Sequence, residues 1–179
     1  MNRLYLWLFA LLLSALAGSG IAGAAQSDYQ SAVAALAAVD PTLDPPPNNA
    51  QTDLVVGGFE DVFGEKVGLS AHSDPLNEEP FGHESVTLPQ NYKIRSRITC
   101  LAVDGNLAAW GTSTTHAGSN SDPPGTEFVE VGKDGGPGGS KDRWNFFSAQ
   151  AEDCADFLAE AARAPFIVSG NILIQDAQS

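Results

Sequence analysis

Two groups of residues in this chain have types and spacings that invite chemistry. One is the stretch "KDGGPGGSKDRWNFF", Lys133 to Phe147, where Asp134 and Asp142 flank a run of glycines. The other is the set of three histidines, His72, His83 and His116, the first two of which lie in the acidic segment "AHSDPLNEEPFGHE". A P-loop requires G-x-x-x-x-G-K-[ST] opening a helix. Here Ser140 precedes Lys141, Asp142 follows it, and the next residues, "RWNFF", are strand-like. A dinucleotide fingerprint, G-x-G-x-x-G, begins at Gly136 and Gly138 but meets Lys141 at its third position. Phosphate binding is not expected.

Calcium is the better match for the glycine-rich stretch. Repeat-type calcium loops read G-G-x-G-x-D-x-U-x, and "GGPGGSKDR" supplies the glycines but puts Ser140 where the aspartate belongs. A hard cation wants about six to eight oxygens, of which Asp134, Asp142 and loop carbonyls provide only some. These two aspartates stand as weak calcium candidates. The favoured expectation is a long connection between two antiparallel strands, with Asp142-Arg143 anchoring its far end.

Three histidines, or two with Glu84, could hold a catalytic zinc with one open position. No H-E-x-x-H is present, because His83-Glu84 lacks the second histidine, so solvated loop histidines beside turns are the expectation. A small enzyme pocket, if there is one, would draw on His72, His83, Asp142 and Arg143. Pairs such as Glu78-Glu79 permit glycosidase-type acid–base work but arise by chance in so acidic a chain. No G-x-S-x-G nucleophile elbow occurs, and no cofactor is expected.

The elements that must position these residues follow an N-terminus that reads as a secretory leader. Arg3 precedes "LYLWLFALLLSALAG" and an A-x-A-like site at Ala22, Gly23 and Ala24, which assigns residues 1–24 to a signal peptide. Its apolar core of about 14 residues is short of the ~20 that span a bilayer, so no membrane association is expected after cleavage. The chain carries 9 Lys+Arg against 22 Asp+Glu, a net charge of −13. Such a surface repels phosphate backbones, which excludes nucleic acid as a partner and suits an extracellular, soluble protein. The two cysteines, Cys100 and Cys154, read as a disulfide in that compartment, the alternative being two buried thiols.

Residues 25–52 read as a flexible Ala/Pro-rich arm. "SDYQSAVAALAAV" could form a short, weak helix on Tyr29, Val33 and Leu36, and Pro45, Pro46 and Pro47 favour an extended linker. Residues 53–177 read as the folded domain. "YKIRSRITCLAVDGNLAAWGTS" is the clearest element, with Ile94, Ser96, Ile98, Cys100 and Ala102 on one strand face and Asp104-Gly105 as a hairpin turn. Shorter strands are expected at "DLVVGGFEDV", "EKVGLSAHS", "ESVTL", "TEFVEVGK", "DRWNFF" and "APFIVSGNILIQDA". "SAQAEDCADFLAEAAR" is the one helical or compact-loop segment near the C-terminus, with Ala151, Cys154, Phe157, Leu158 and Ala161 as its apolar stripe. Strand aromatics such as Trp110, Phe146 and Phe147 are expected in the core, with Trp144 the exception because it follows the loop. Many short strands with glycine-rich turns specify a mainly β fold, a small antiparallel barrel or sandwich.

"RITCLAVDGNLAAWGT", followed by "GTEFVEVGKDGGPGGSKDRWNF", resembles a poorly characterised family of secreted actinobacterial β-domains. Their pattern is similar to "TCL-V-GN-A---G" and then "G--F---V-DNG-PG---D", and the closing "SGNILIQDA" is similar to their ends. Gly135 stands where the family more often has Asn. The resemblance implies a β fold and export, and it implies no activity. The chain therefore reads as an extracellular binding or structural module whose ligand or protein partner is not specified, with a small barrel enzyme, a hydrolase or isomerase, as the alternative.

Overall fold

Period-two patterning recurs along the chain and gives eight strands: β1 (Asp53–Glu60), β2 (Lys66–Ser73), β3 (Phe81–Thr87), β4 (Lys93–Asp104), β5 (Leu107–Ala117), β6 (Glu127–Lys133), β7 (Arg143–Phe147) and β8 (Ser169–Gln175). The computed structural model describes residues 26–45, 52–73, 80–118, 122–149 and 154–177. The expected leader at 1–24, the linker prolines Pro46 and Pro47, Glu78-Glu79 and Ala151 lie outside the described residues. All eight strands belong to one antiparallel sheet, in the order β7-β6-β5-β4-β3-β2-β1-β8. Seven strands form a meander, and β8 returns to pair with β1. The sheet curls into a half-barrel, so the architecture is the barrel-like alternative rather than two packed sheets.

The concave face gathers Val55, Phe59, Val67, Leu69, Ile98, Leu101, Trp110, Trp144, Ile172 and Ile174 into one core. Side chains from both ends of the sheet meet there, which is why the sheet must curl to bury them. Trp144, the expected exception, is 4% exposed and belongs to this core. It alternates inward with the strand, and following the loop does not alter that.

Two segments cover the convex face. The arm is more than a loose lead-in over part of its length. Residues 26–39 form a helix, α1, which packs Ala32 and Leu36 against Leu54 and Val56 of β1. Gly58 lets it approach, since a Cβ there would lie 2.1 Å from the Ala35 carbonyl oxygen. Asp40, just past its end, is 1% exposed and faces Lys93 at 3.5 Å and Arg95 at 3.4 Å. Burial opposes its ionisation, but hydrogen bonds from Thr42 and the Lys93 charge outweigh that and hold its carboxyl well below the usual range. The second cover is a 3-10 turn (Cys154–Phe157) running into α2 (Leu158–Ala161). It packs on Ala102, Ala109 and Val131 and is fastened by the Cys100–Cys154 disulfide.

Strands β4 and β5 depart from the simple alternation, β5 at Thr115, which is the extra residue opposite the Arg95–Ser96 step. The β4–β5 register shifts between Ile98 and Cys100, and the extra residue, Thr99, swaps the faces of β4. Ile94, Ser96 and Ile98 face inward as expected. Cys100 and Ala102 face outward instead, which is what presents Cys100 to Cys154, while Leu101 turns into the core. The β4–β5 hairpin turns on Gly105 and Asn106, with positive φ at Gly105 alone, the requirement of a type II′ turn.

The two ends of the curled sheet meet along a seam. Main-chain pairing there is short: Arg143 bridges Phe166, Trp144 N donates to the Pro165 carbonyl, and Ile167 N donates to the Asp142 carbonyl. Beyond this, carboxylates replace the ladder. Asp142 accepts from Gly135 N at 2.8 Å and from Ile172 N of β8 at 2.7 Å. Asp134 accepts from Gly136 N at 2.6 Å and from Ile174 N of β8 at 3.2 Å. The glycine-rich loop is shaped for this contact, because a Cβ on Gly139 would lie 2.0 Å from the Gly170 carbonyl oxygen.

A paired-carboxyl lumen as candidate functional site

The inward side chains of β3, β5, β6 and β7 build a polar floor inside an otherwise apolar half-barrel. Glu84 on β3 is 2% exposed and Glu130 on β6 is 3% exposed. Strand alternation puts Glu84 beside Ser96 of β4 and Glu130 beside Trp110 of β5 in register. Trp110 Nε1 donates to Glu84 Oε2 at 3.2 Å, and Trp144 Nε1 donates to Glu130 Oε2 at 2.8 Å. Thr112 Oγ1 reaches Glu130 Oε1 at 3.4 Å. The two carboxyl groups are close enough to shift each other's ionisation.

Two buried carboxylates in contact cannot both ionise cheaply. Burial, then the Glu84 charge, pushes Glu130 well above the ordinary range, while Trp144 and Thr112 pull the other way. Burial raises Glu84 too, but the hydrogen bonds from Glu130 and Trp110 favour its charged form. Glu130 is thus the more strongly raised of the pair, and each carboxyl is oriented by an indole N–H.

This pair lies in the wall of a cavity of about 510 Å³, which opens between the β1–β2 turn, the β3–β4 turn and the β5–β6 connection. Val86, Leu88 and Ile94 form an apolar side. Phe128, Phe146 and Trp144 form an aromatic side, with ring centroids 6.1 Å apart for Phe128–Phe146 and 5.5 Å for Trp144–Phe146. Glu65 and Asp122 stand among the lining residues as well. The turn that carries Glu65 is held by Asp61 Oδ1, which accepts from Phe63 N at 2.8 Å and Glu65 N at 2.9 Å. Burial, followed by the Asp61 charge, raises the Glu65 carboxyl.

The residues singled out in the sequence fall into two other places. His72, His83 and His116 line one groove on the convex side, of about 950 Å³, together with Lys93, Arg95 and Thr42. His72 packs edge-on against Phe81, with ring centroids 3.7 Å apart, and burial lowers its pKa. Among the described residues no three His, Cys, Asp or Glu side chains are grouped to hold a metal, so the histidines share a groove without forming a zinc cluster. Asp142 and Arg143 lie at the seam. Arg143 donates to the Ala164 carbonyl at 2.6 Å and stacks 3.8 Å above the Phe166 ring. The four residues of the expected enzyme pocket therefore do not converge. The calcium candidates Asp134 and Asp142 use all four carboxylate oxygens as acceptors for backbone N–H groups. Burial raises Asp142 to about 6 despite these bonds, with the Asp134 charge adding to the rise, and burial also raises Asp134.

Glu130 escaped the sequence reading. The signal for it was a charged residue in the middle of "FVEV", at an inward position of an otherwise apolar strand, which is rare without a partner. Fold and site together define an eight-stranded antiparallel half-barrel with an acid pair in its lumen. Comparison with known proteins adds no relative: no family model, no curated protein and no solved structure matches the chain.

Proposed function

We propose that this is an exported binding protein whose half-barrel lumen takes a small, largely apolar molecule and meets its polar end with the Glu84–Glu130 pair. The observation that carries this reading is the pair itself. Two carboxyls placed in the wall of a cavity of ligand size cost stability, and a closed apolar core would avoid that cost. Export rests on the leader-like N-terminus, with which the disulfide agrees. Among the described residues no helix is long and apolar enough to cross a membrane. Membership of the secreted actinobacterial β-domain family is proposed on the motif resemblance alone.

A second reading has the same pair acting as acid and base on the bound molecule, because a shared proton is a means of proton transfer. It moves the enzyme alternative from the histidines to the lumen. Ser96 is buried and lines the cavity, so Ser96→Phe fills the lumen from its wall. In a screen of small apolar alcohols and ketones followed by Trp110 and Trp144 fluorescence, wild type is expected to show saturable changes that Ser96→Phe abolishes. Saturable changes that persist in Ser96→Phe would place the ligand elsewhere and overturn the proposal.

A further inference from the structure

The lumen and the convex groove differ in the sign of their charges. Every titratable residue among the lumen's described lining is a carboxylic acid: Glu65, Glu84, Asp122 and Glu130. The convex groove instead holds Lys93, Arg95 and all three histidines, with Asp44 and Glu84 also among its lining residues. No lysine, arginine or histidine lines the cavity to face these carboxyl groups. A buried charge without a counter-charge is costly, and a ligand of opposite sign relieves that cost.

A further feature points to the same ligand chemistry. Phe128, Phe146 and Trp144 line one side of the cavity, and aromatic rings attract organic cations.

We infer that the lumen ligand is an organic ammonium: an apolar body that fits between the aromatic and aliphatic walls, with a protonated amine directed at Glu84 and Glu130. This rests on the lumen reading above and narrows it. Alcohols and ketones of the same shape fill the same space but leave the charge uncompensated, and anions of that shape are repelled by the ionised carboxylates of the lining. The net charge of −13 also draws cations toward the mouth.

The test is calorimetric titration of the disulfide-bonded protein with three matched probes: 1-adamantylamine, 1-adamantanol and 1-adamantanecarboxylate. The amine is expected to bind at least about tenfold tighter than the alcohol, with the carboxylate weakest. Glu84→Gln, at the less strongly raised carboxyl of the pair, and, separately, Asp122→Asn at the exposed mouth are expected to reduce this preference. Asp122 is exposed, so that variant tests the inference even where Glu84→Gln folds poorly. Equal affinities for amine and alcohol, or an amine preference untouched by Asp122→Asn and Glu84→Gln, would overturn the ammonium inference and leave the lumen reading standing. Failure of all three probes to bind, or binding that survives Ser96→Phe, would remove both.

Discussion

Burial, then the neighbouring Glu84 charge, raises the Glu130 carboxyl well above its ordinary range. The consequence for stability has a definite sign. Its folded pKa lies above the unfolded value of about 4.3, so the folded state binds the proton more tightly. The associated stability is complete below that value and is lost as pH rises through the folded pKa. Glu130→Gln mimics the protonated form: its amide can donate to Glu84 while its carbonyl accepts from Trp144. The melting temperature of wild type is therefore expected to fall from pH 5 to pH 9 by more than that of Glu130→Gln, and superimposable profiles would contradict the shared proton. Asp142, raised to about 6, adds a fall of the same sign to both proteins between about pH 4 and 6. At this scale the sequence is least legible. His83-Glu84 was visible as a candidate pair, but Glu84 turns inward and His83 outward, as strand neighbours must. The partner of Glu84 comes from β6, a contact that only the curl of the sheet creates.

The seam is the element-level feature that decides whether the sheet stays curled. Without Asp142 the N–H groups of Gly135 and Ile172 lose their acceptor, at about 1–3 kcal/mol for each buried unpaired group. Asp142→Ala is expected to lower unfolding free energy in urea by about 2–5 kcal/mol, and Asp142→Asn, which can still accept one of the two bonds, by roughly half of that. A loss no larger than that of an exposed aspartate such as Asp104 would show that the seam is held by other contacts. Much of this level was legible. Strand positions follow from alternation, and "GGPGGSKDR" was recognised as a connection anchored at Asp142-Arg143. What alternation does not encode is the bulge at Thr99, which changes the face of Cys100 without changing a single residue type. It also does not encode the docking of α1. Its short alanine-rich stripe looks too weak to pack until Gly58 and the Asp40 contacts to Lys93 and Arg95 are in place.

At the scale of the molecule, one sheet encloses one lumen and is pinned on its convex side by two covers. The Cys100–Cys154 bond fastens one of them across a sequence separation of 54 residues, worth about 4 kcal/mol in the chain-entropy account. Intact mass is expected to rise by about two daltons on reduction, with a lower melting temperature. An unchanged mass would mean the thiols are free. Composition anticipated a mainly β domain and the charge balance, because both are sums over the chain. It did not separate the acidic lumen from the basic groove, because which residues face inward is set by register. Ligand capture in the lumen depends on the two carboxyls sharing a proton. The most direct measurement is a 13C NMR pH titration of the glutamate side-chain carboxyls, assigned through Glu84→Gln and Glu130→Gln. The prediction is that Glu130 keeps its proton at neutral pH and that its titration is coupled to that of Glu84. Independent titration of both near the ordinary value of about 4.3 would contradict it.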